Sequence, residues 1–164
     1  AAWGGWAVVV VGVEWGGDER VEGRAREVLE QLGVENATNV AWASRTPRRV
    51  VDLVENSGAQ VFIAIAGLSA ALPGVVAAHT RKPVIGVPCT SDSSPGNLDS
   101  LLSVVQMPPG MPVAAVGVDR GENAAVLAIQ MLALSDPDLA TSMGEWREKM
   151  SQKVISDDES LSEA

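Results

Sequence analysis

The residue types that most often carry nucleophilic, acid–base or metal chemistry are scarce in this chain. Its 164 residues include one histidine, His79, and one cysteine, Cys89. These counts exclude a scheme with two histidines in one subunit, an internal disulfide and a thiolate zinc cluster, so no metal site is predicted. The loop that begins at Cys89 contains no histidine or lysine to activate a thiolate. Cys89 is therefore expected to pack in the core, with a role as nucleophile as the alternative.

The composition also limits the classes of cofactor and partner. Neither the Walker phosphate loop nor the dinucleotide fingerprint is present, because Gly12, Gly16 and Gly17 lack the required spacing. We therefore expect no cofactor. Twelve basic and 21 acidic residues give a net charge of −9, which argues against nucleic acid and acidic membrane surfaces as partners.

Two further features bear on where the protein resides. No apolar run approaches the roughly 20 residues of a membrane helix. The amino end lacks the basic and apolar segments of a signal peptide. Together with the single cysteine, these features predict a cytoplasmic location.

Short apolar runs alternate with helical patterns along the chain, which is typical of a parallel sheet covered by helices on both faces. The predicted strands are residues 7–13, 38–42, 61–66, 84–87 and 113–118. Ser135-Asp136-Pro137, a capping residue followed by proline, is expected to start a last amphipathic helix. The sequence thus predicts an α/β fold in three layers, a single domain over residues 1–155, and an acidic, disordered tail over 156–164.

Glycine, threonine and proline mark where the predicted helices start and stop. Gly33 is expected to end the first helix in a left-handed conformation. Thr46-Pro47 is expected to open the second helix: the threonine hydroxyl caps free N–H groups, and proline occupies the first turn, where its missing N–H costs nothing. Three more helices are predicted at 72–79, 98–106 and 122–134.

Ligands of such sheets bind at the carboxyl ends of the strands. Four predicted loops lie there, at residues 14–20, 43–46, 67–71 and 89–96. Each loop leads into a helix start, where free N–H groups and the positive end of the helix dipole favour an anion. We therefore expect a ligand that carries phosphate or carboxylate.

Several segments, in order between about residues 7 and 150, resemble the PurE family of carboxyaminoimidazole ribonucleotide mutases and aminoimidazole ribonucleotide carboxylases. The segments are Ser44-Arg45-Thr46-Pro47, Ala70-Ala71-Leu72-Pro73-Gly74, Val84-Ile85-Gly86-Val87-Pro88, Leu101-Leu102-Ser103-Val104-Val105-Gln106-Met107-Pro108, and Asn123-Ala124-Ala125 followed by Gln130-Met131-Leu132-Ala133. The resemblance implies a flavodoxin-like sandwich, a homo-octamer with active sites at subunit contacts, and movement of carbon dioxide on an aminoimidazole ribonucleotide.

The chain departs from the family pattern at both histidine positions. Ser44 stands at the histidine of Ser-Ala-His-Arg-Thr-Pro, and Ala71 at the histidine of Ala-Gly-Gly-Ala-Ala-His-Leu-Pro-Gly. Loss of a general acid or base typically lowers a rate by about 10²–10⁴. His79 offers no replacement, because it is expected at the carboxyl end of the third helix and so at the opposite edge of the sheet.

The resemblance also assigns roles to individual residues. It implies that Arg45 contacts the nucleotide, with an ion pair to a nearby acid as the alternative. It implies that Asp18 holds ribose hydroxyls, with a helix cap as the alternative. Ser44, Arg45 and Asp18 are the predicted catalytic residues. The predicted substrate-binding residues are Trp15, Gly17, Asp18, Trp42, Ala43, Ser44, Arg45, Gly67, Leu68, Ser69, Ala70, Ala71 and Leu72.

Aromatic and acidic residues in the same loops leave alternatives open. Trp15 and Trp42 either stack on an aromatic or acyl ligand or pack at a subunit contact. Glu14 and Asp92 are either solvated or proton donors whose pKa is raised by desolvation.

Three functions follow from these observations. The favoured hypothesis is a diverged enzyme that decarboxylates a small carboxylated substrate, since decarboxylation requires only an anchored carboxylate and protonation of carbon. The alternatives are a non-catalytic scaffold and a carboxyaminoimidazole ribonucleotide mutase. Self-association is expected through the Met107–Pro112 connection and the uncharged helix at Ala124–Leu134, both suited to burial between subunits.

Overall fold

The structure, a computed structural model, describes residues 7–12 and 18–162, and only the backbone of residues 18–20 and 162. Strands and helices alternate along this part of the chain, except that two helices follow the last strand. In order they are β1 (Val8–Gly12), α1 (Asp18–Gln31), β2 (Asn36–Val40), α2 (Pro47–Asn56), β3 (Val61–Gly67), α3 (Ala71–Ala78), β4 (Val84–Cys89), α4 (Asp99–Val105), β5 (Ala114–Ala115), α5 (Gly121–Ala133) and α6 (Pro137–Ser162).

The five strands form one parallel sheet in the order β2-β1-β3-β4-β5. Val10 of β1 is paired with Thr38 of β2 on one side and with Ile63 of β3 on the other. The predicted α/β sandwich with five parallel strands is confirmed. The strand order reverses between β1 and β3, and open sheets of this kind bind ligands beyond the carboxyl ends of the strands at such a reversal.

Alternate side chains of the central strands enter two separate cores. Val8, Val10 and Ile63 belong to a core shared with α1 and α5, whereas Val9 and Phe62 belong to a core shared with α2, α3 and α4. All five side chains are at most 2% exposed. Each contributes about 1.5–3 kcal/mol by leaving water, so β1 and β3 are held from both faces.

Two strands differ from the prediction. β2 ends at Val40, and the N–H of Ala41 then donates to the carbonyl of Gly12 at 3.1 Å. β5 has two residues in place of the six predicted at 113–118. Gly117, with φ of 109°, and Asp119, with φ of 57°, turn the chain away from the sheet.

The helix boundaries confirm two of the predicted caps and correct a third. Gly33 ends α1 with φ of 67°, and the Asp136 carboxylate accepts the N–H of Leu139 at 3.0 Å at the start of α6. Thr46 precedes α2 as predicted, but its hydroxyl does not cap that helix. It bonds instead to the backbone of Trp42.

The predicted disordered tail is wrong over the part that the structure describes. α6 continues to Ser162, and residues 151–161 are exposed helix. Lys153 Nζ lies 2.9 Å from Asp157 Oδ2, one helical turn away. Pairs of this spacing stabilise a solvated helix, so an acidic composition without buried anchors still permits helix here.

Within the described residues, no helix is both long and apolar enough to cross a membrane. The long α6 is mostly polar. Its exposed apolar side chains include the neighbours Val154 and Ile155, and charged and hydroxyl residues separate these from Leu161.

A glycine pair tests how closely the layers pack. A Cβ on Gly121 would overlap the Val21 carbonyl oxygen, whereas one on Gly144 would meet nothing within 4 Å. We expect Gly121→Ala to lower the free energy of unfolding by about 1–3 kcal/mol, because α1 must move. Gly144→Ala should raise it by about 0.5–1 kcal/mol, because alanine favours helix. Urea unfolding measures both, and equal effects would contradict the close α1–α5 contact.

Candidate functional site

The loops predicted to bind a ligand meet at the carboxyl edge of the sheet. β2 and β3 both flank β1, so loops 41–46 and 67–70 leave the sheet about 10 Å apart, two strand spacings. The carboxyl end of β1 lies between them, and Glu14, Trp15 and Gly17, which follow it in the sequence, fall outside the described residues. Asp18 begins α1, and its side chain is also outside that description.

A hydroxyl clamp closes the loop after β2. The N–H of Trp42 donates to Thr46 Oγ1 at 2.8 Å, and that hydroxyl donates to the Trp42 carbonyl at 3.3 Å. The Thr46 N–H donates to the same carbonyl at 3.0 Å. Ala41, just before the clamp, is buried. The clamp therefore fixes Trp42 directly beyond the end of β2.

Arg45 lies on the ring of Trp42, the residue whose backbone this clamp holds. Its Cζ is 4.2 Å from the centroid of the Trp42 ring, within the range of a cation–π contact. The ion pair considered as its alternative role is absent among the described residues, where no carboxylate lies within 4 Å of its guanidinium. Ser44 beside it is exposed, and Ala43 is half-buried.

The loop after β3 has an unusual backbone. Leu68 and Ala70 have φ of 51° and 40°, in the left-handed region that costs a non-glycine residue about 1–2 kcal/mol. The Ser103 hydroxyl of α4 donates to the Ser69 carbonyl, and the Ala70 N–H donates to Gly67 at 2.9 Å. These bonds hold the strained turn from both sides.

That turn opens α3 toward the edge of the sheet. No side chain caps this helix, and its first turn holds no acidic residue. The N–H groups of Ala71 and Leu72 stand in the first turn, where a helix offers them no carbonyl partner. Ala71 is exposed and Leu72 is buried. Among the described residues, the helix start thus combines N–H donors that have no partner with an exposed first residue.

The loop after β4 is held by hydroxyl and carboxylate contacts. Thr90 donates to the Asp119 carboxylate through its N–H at 2.9 Å and its hydroxyl at 2.7 Å. The Ser94 hydroxyl donates to Asp99 and holds the pKa of that carboxyl below its usual range. Asp92 is exposed. Cys89 is 1% exposed and packs in the core shared with α1 and α5.

His79 lies at the opposite edge, as the sequence predicts. It follows the last residue of α3, and its Nδ1 is 3.1 Å from Glu55 Oε1. Clefts also occur at that amino edge; one of about 680 Å³ includes the start of α6 in its lining. Asp136 and Asp138 occupy that helix start, which makes it unfavourable for an anion.

The structure adds residues that sequence reasoning missed. Glu22 Oε2 lies 3.6 Å from the point where a Cβ on Gly12 would stand, at the end of β1. Arg24 donates to the carbonyl of Asp119 and lies 3.3 Å from Glu122. The sequence carries no signal for the contact between Arg24 and Asp119, because 95 positions separate these two residues. For Glu22, its place near the start of the helix that follows a candidate loop was the available clue.

Comparisons with known proteins agree with this arrangement. Residues 8–153 match the model of the family described as AIR carboxylase. The chain is 53% identical over 155 residues to the N5-carboxyaminoimidazole ribonucleotide mutase of Methanocaldococcus jannaschii, covering 94% of this chain and 96% of that one. It is 41% identical over 150 residues to the Thermotoga maritima mutase, covering 88% and 87%.

A solved structure extends the agreement to three dimensions. The crystal structure of Treponema denticola PurE superposes with a TM-score of 0.78 at 29% identity, covering 94% of this chain and 98% of that one. The flavodoxin-like arrangement expected from the resemblance is thereby confirmed. The family model, the relatives and the superposition agree on one conclusion: the chain belongs to the PurE, or AIR carboxylase, family.

Proposed function

We propose that this protein is an N5-carboxyaminoimidazole ribonucleotide mutase, an enzyme that moves a carboxyl group from the exocyclic nitrogen of an aminoimidazole ribonucleotide to a ring carbon. The observation that carries this proposal is the 53% identity to a mutase along 96% of that relative. The sequence alone favoured decarboxylation of another substrate. The relatives support the mutase more strongly, because the two closely matched archaeal and bacterial proteins carry that activity in their names.

Arg45 is the proposed anchor for an anionic group of the nucleotide. Its guanidinium has five N–H donors that suit phosphate or carboxylate. The helix that follows it begins with no acidic residue in its first turn, so the helix dipole attracts the same anion. Both the guanidinium and the start of α2 therefore favour a phosphate or carboxylate group.

The start of α3 is the proposed place for the migrating carboxyl group. Gly67, Leu68, Ser69 and Ala70 form the turn, and uncapped N–H groups follow it at Ala71 and Leu72. Backbone donors already fixed in position stabilise a carboxylate or carbon dioxide without rearranging. The turn's strain is consistent with such a role, since strained backbone often occurs at functional sites.

The proton transfers are the demanding part of this reaction. When the carboxyl group leaves nitrogen, that nitrogen gains a proton, and the ring carbon that accepts the carboxyl group loses one. Ser44 stands where the resemblance implies a histidine, and a hydroxyl is a poor acid and base at neutral pH. We retain Ser44, Arg45 and Asp18 as the proposed catalytic residues, with Ser44 relaying a proton and Asp18 binding ribose.

Decarboxylation of a small carboxylated substrate is the second candidate. It is favoured by one observation: neither Ser44 nor Ala71 supplies an imidazole. Losing carbon dioxide requires one carboxylate anchor and one proton delivered to carbon, and it does not require carbon dioxide to be captured again. A non-catalytic scaffold is the remaining candidate, and it predicts no turnover of either substrate.

Self-association into a homo-octamer is also proposed. The sequence predicts the Ala-rich α5 as a contact between subunits. Its buried side chains pack inside the protomer instead, so much of this helix is not available for such a contact. An exposed apolar stripe lies instead on α4 and just before it, at Leu98, Leu102 and Val105. Stripes of this kind commonly mark contacts between chains.

Restoring imidazoles separates the candidate functions. We expect wild type to convert N5-carboxyaminoimidazole ribonucleotide slowly, and Ser44→His with Ala71→His to raise kcat by about 10²–10⁴. Both positions are exposed, so the larger side chains meet no core. The measurement is the absorbance of the carboxylated product, with His79→Ala as a control of unchanged rate. A double variant no faster than wild type would contradict the proposal.

The proposed octamer can be tested in solution. Light scattering should give about eight times the 17.1 kDa monomer mass. Leu102→Glu should dissociate the assembly, because it places a charge in the apolar stripe. Leu134→Glu is the matched control, since that side chain is 89% exposed and off the stripe. A monomeric wild type would overturn the proposed assembly.

A further inference from the structure

Trp42 and Arg45 form a unit whose role differs from the one that the sequence predicts for the tryptophan. The sequence predicts that Trp42 stacks on the ligand or packs between subunits. In the structure the Arg45 guanidinium lies over its ring, 4.2 Å from the centroid. The ring area covered by the guanidinium is not available to a ligand.

The backbone that carries the ring is held in place. Thr46 accepts the backbone N–H of Trp42, and both its hydroxyl and its N–H donate to the Trp42 carbonyl. The adjacent Ala41 is 1% exposed, and the Trp42 side chain itself is half-buried. Arg45, by contrast, is exposed. A long exposed arginine loses rotamer entropy when it is held still. A partner that already holds Arg45 lowers the entropy that ligand binding must still remove from its side chain.

The chemistry of the partner also matters. A carboxylate would hold Arg45 by accepting its N–H groups, and those donors would then be lost to a ligand. An aromatic face attracts the cation and accepts none of the in-plane N–H bonds. Among the described residues no carboxylate lies within 4 Å of Arg45, and its side chain is exposed at the carboxyl edge of the sheet.

We propose that Trp42 is a positioning residue: it holds the Arg45 guanidinium, with its donors free, for an anionic group of the nucleotide. This inference rests on the proposed function for the identity of that nucleotide. It assigns to Trp42 an effect on binding, transmitted through Arg45, and little effect on the chemical step.

The test measures binding of carboxyaminoimidazole ribonucleotide, the product of the proposed reaction, by calorimetry. Trp42→Leu should weaken binding about three- to tenfold, as expected for loss of a cation–π contact and of its ordering, with kcat within twofold of wild type. Trp42→Phe, which keeps an aromatic face, should recover most of the affinity. Trp146→Leu is the matched control, since this half-buried tryptophan bonds Gln31 through its Nε1 at 3.2 Å, away from the loops.

A double-mutant cycle distinguishes positioning from direct contact. In an Arg45→Ala background, Trp42→Leu should cause no further loss of affinity. An equal loss in both backgrounds would overturn the proposal, because Trp42 would then contact the ligand itself.

A ligand-free measurement keeps the inference separate from the proposed function. In a crystal structure of Trp42→Leu, Arg45 should lose its single orientation, while Trp42→Phe should retain it. If wild type binds no carboxyaminoimidazole ribonucleotide, the proposed function fails and this comparison still decides the role of Trp42. An Arg45 that remains ordered in the same place without the indole would overturn the inference.

Discussion

The common direction of the five strands is the constraint on which the rest of this structure depends. Because every strand is parallel, each strand-to-helix loop emerges at the same edge, and each helix that follows presents its amino end there. The central strands allow this because they are apolar on both faces: Val8 and Val10 enter one core, and Val9 and Val11 enter the other. A charged side chain in β1 would disturb one of the two layers.

Electrostatics at that edge follow from the same geometry. Free N–H groups at the helix starts and the Arg45 guanidinium favour an anion there, even though the chain carries a net charge of −9. At the amino edge, by contrast, α6 begins between Asp136 and Asp138. The carboxyl edge thus attracts anions, whereas the start of α6 at the amino edge is unfavourable for them. The only histidine in the sequence lies at the amino edge.

The elements were predictable wherever local rules dominate, and less so where distant contacts decide. Buried strands, the Gly33 stop and the Asp136 cap follow from hydrophobic pattern and cap chemistry. Thr46 could have capped α2, yet its hydroxyl closes the loop to Trp42. The left-handed Leu68 depends on the Ser103 contact 34 positions along the chain from Ser69. Composition led to the wrong prediction of disorder at the end of α6, because a solvated acidic segment can stay helical when pairs such as Lys153 and Asp157 lie one turn apart.

The most direct test of the account is a crystal structure of the wild-type protein with carboxyaminoimidazole ribonucleotide. We expect the nucleotide at the carboxyl edge beside β1, with one anionic group within hydrogen-bond distance of Arg45 and another group near the N–H groups of Ala71 and Leu72. A nucleotide bound in the amino-edge cleft that includes Arg81 and Lys82 in its lining, with the carboxyl edge empty, would contradict the account.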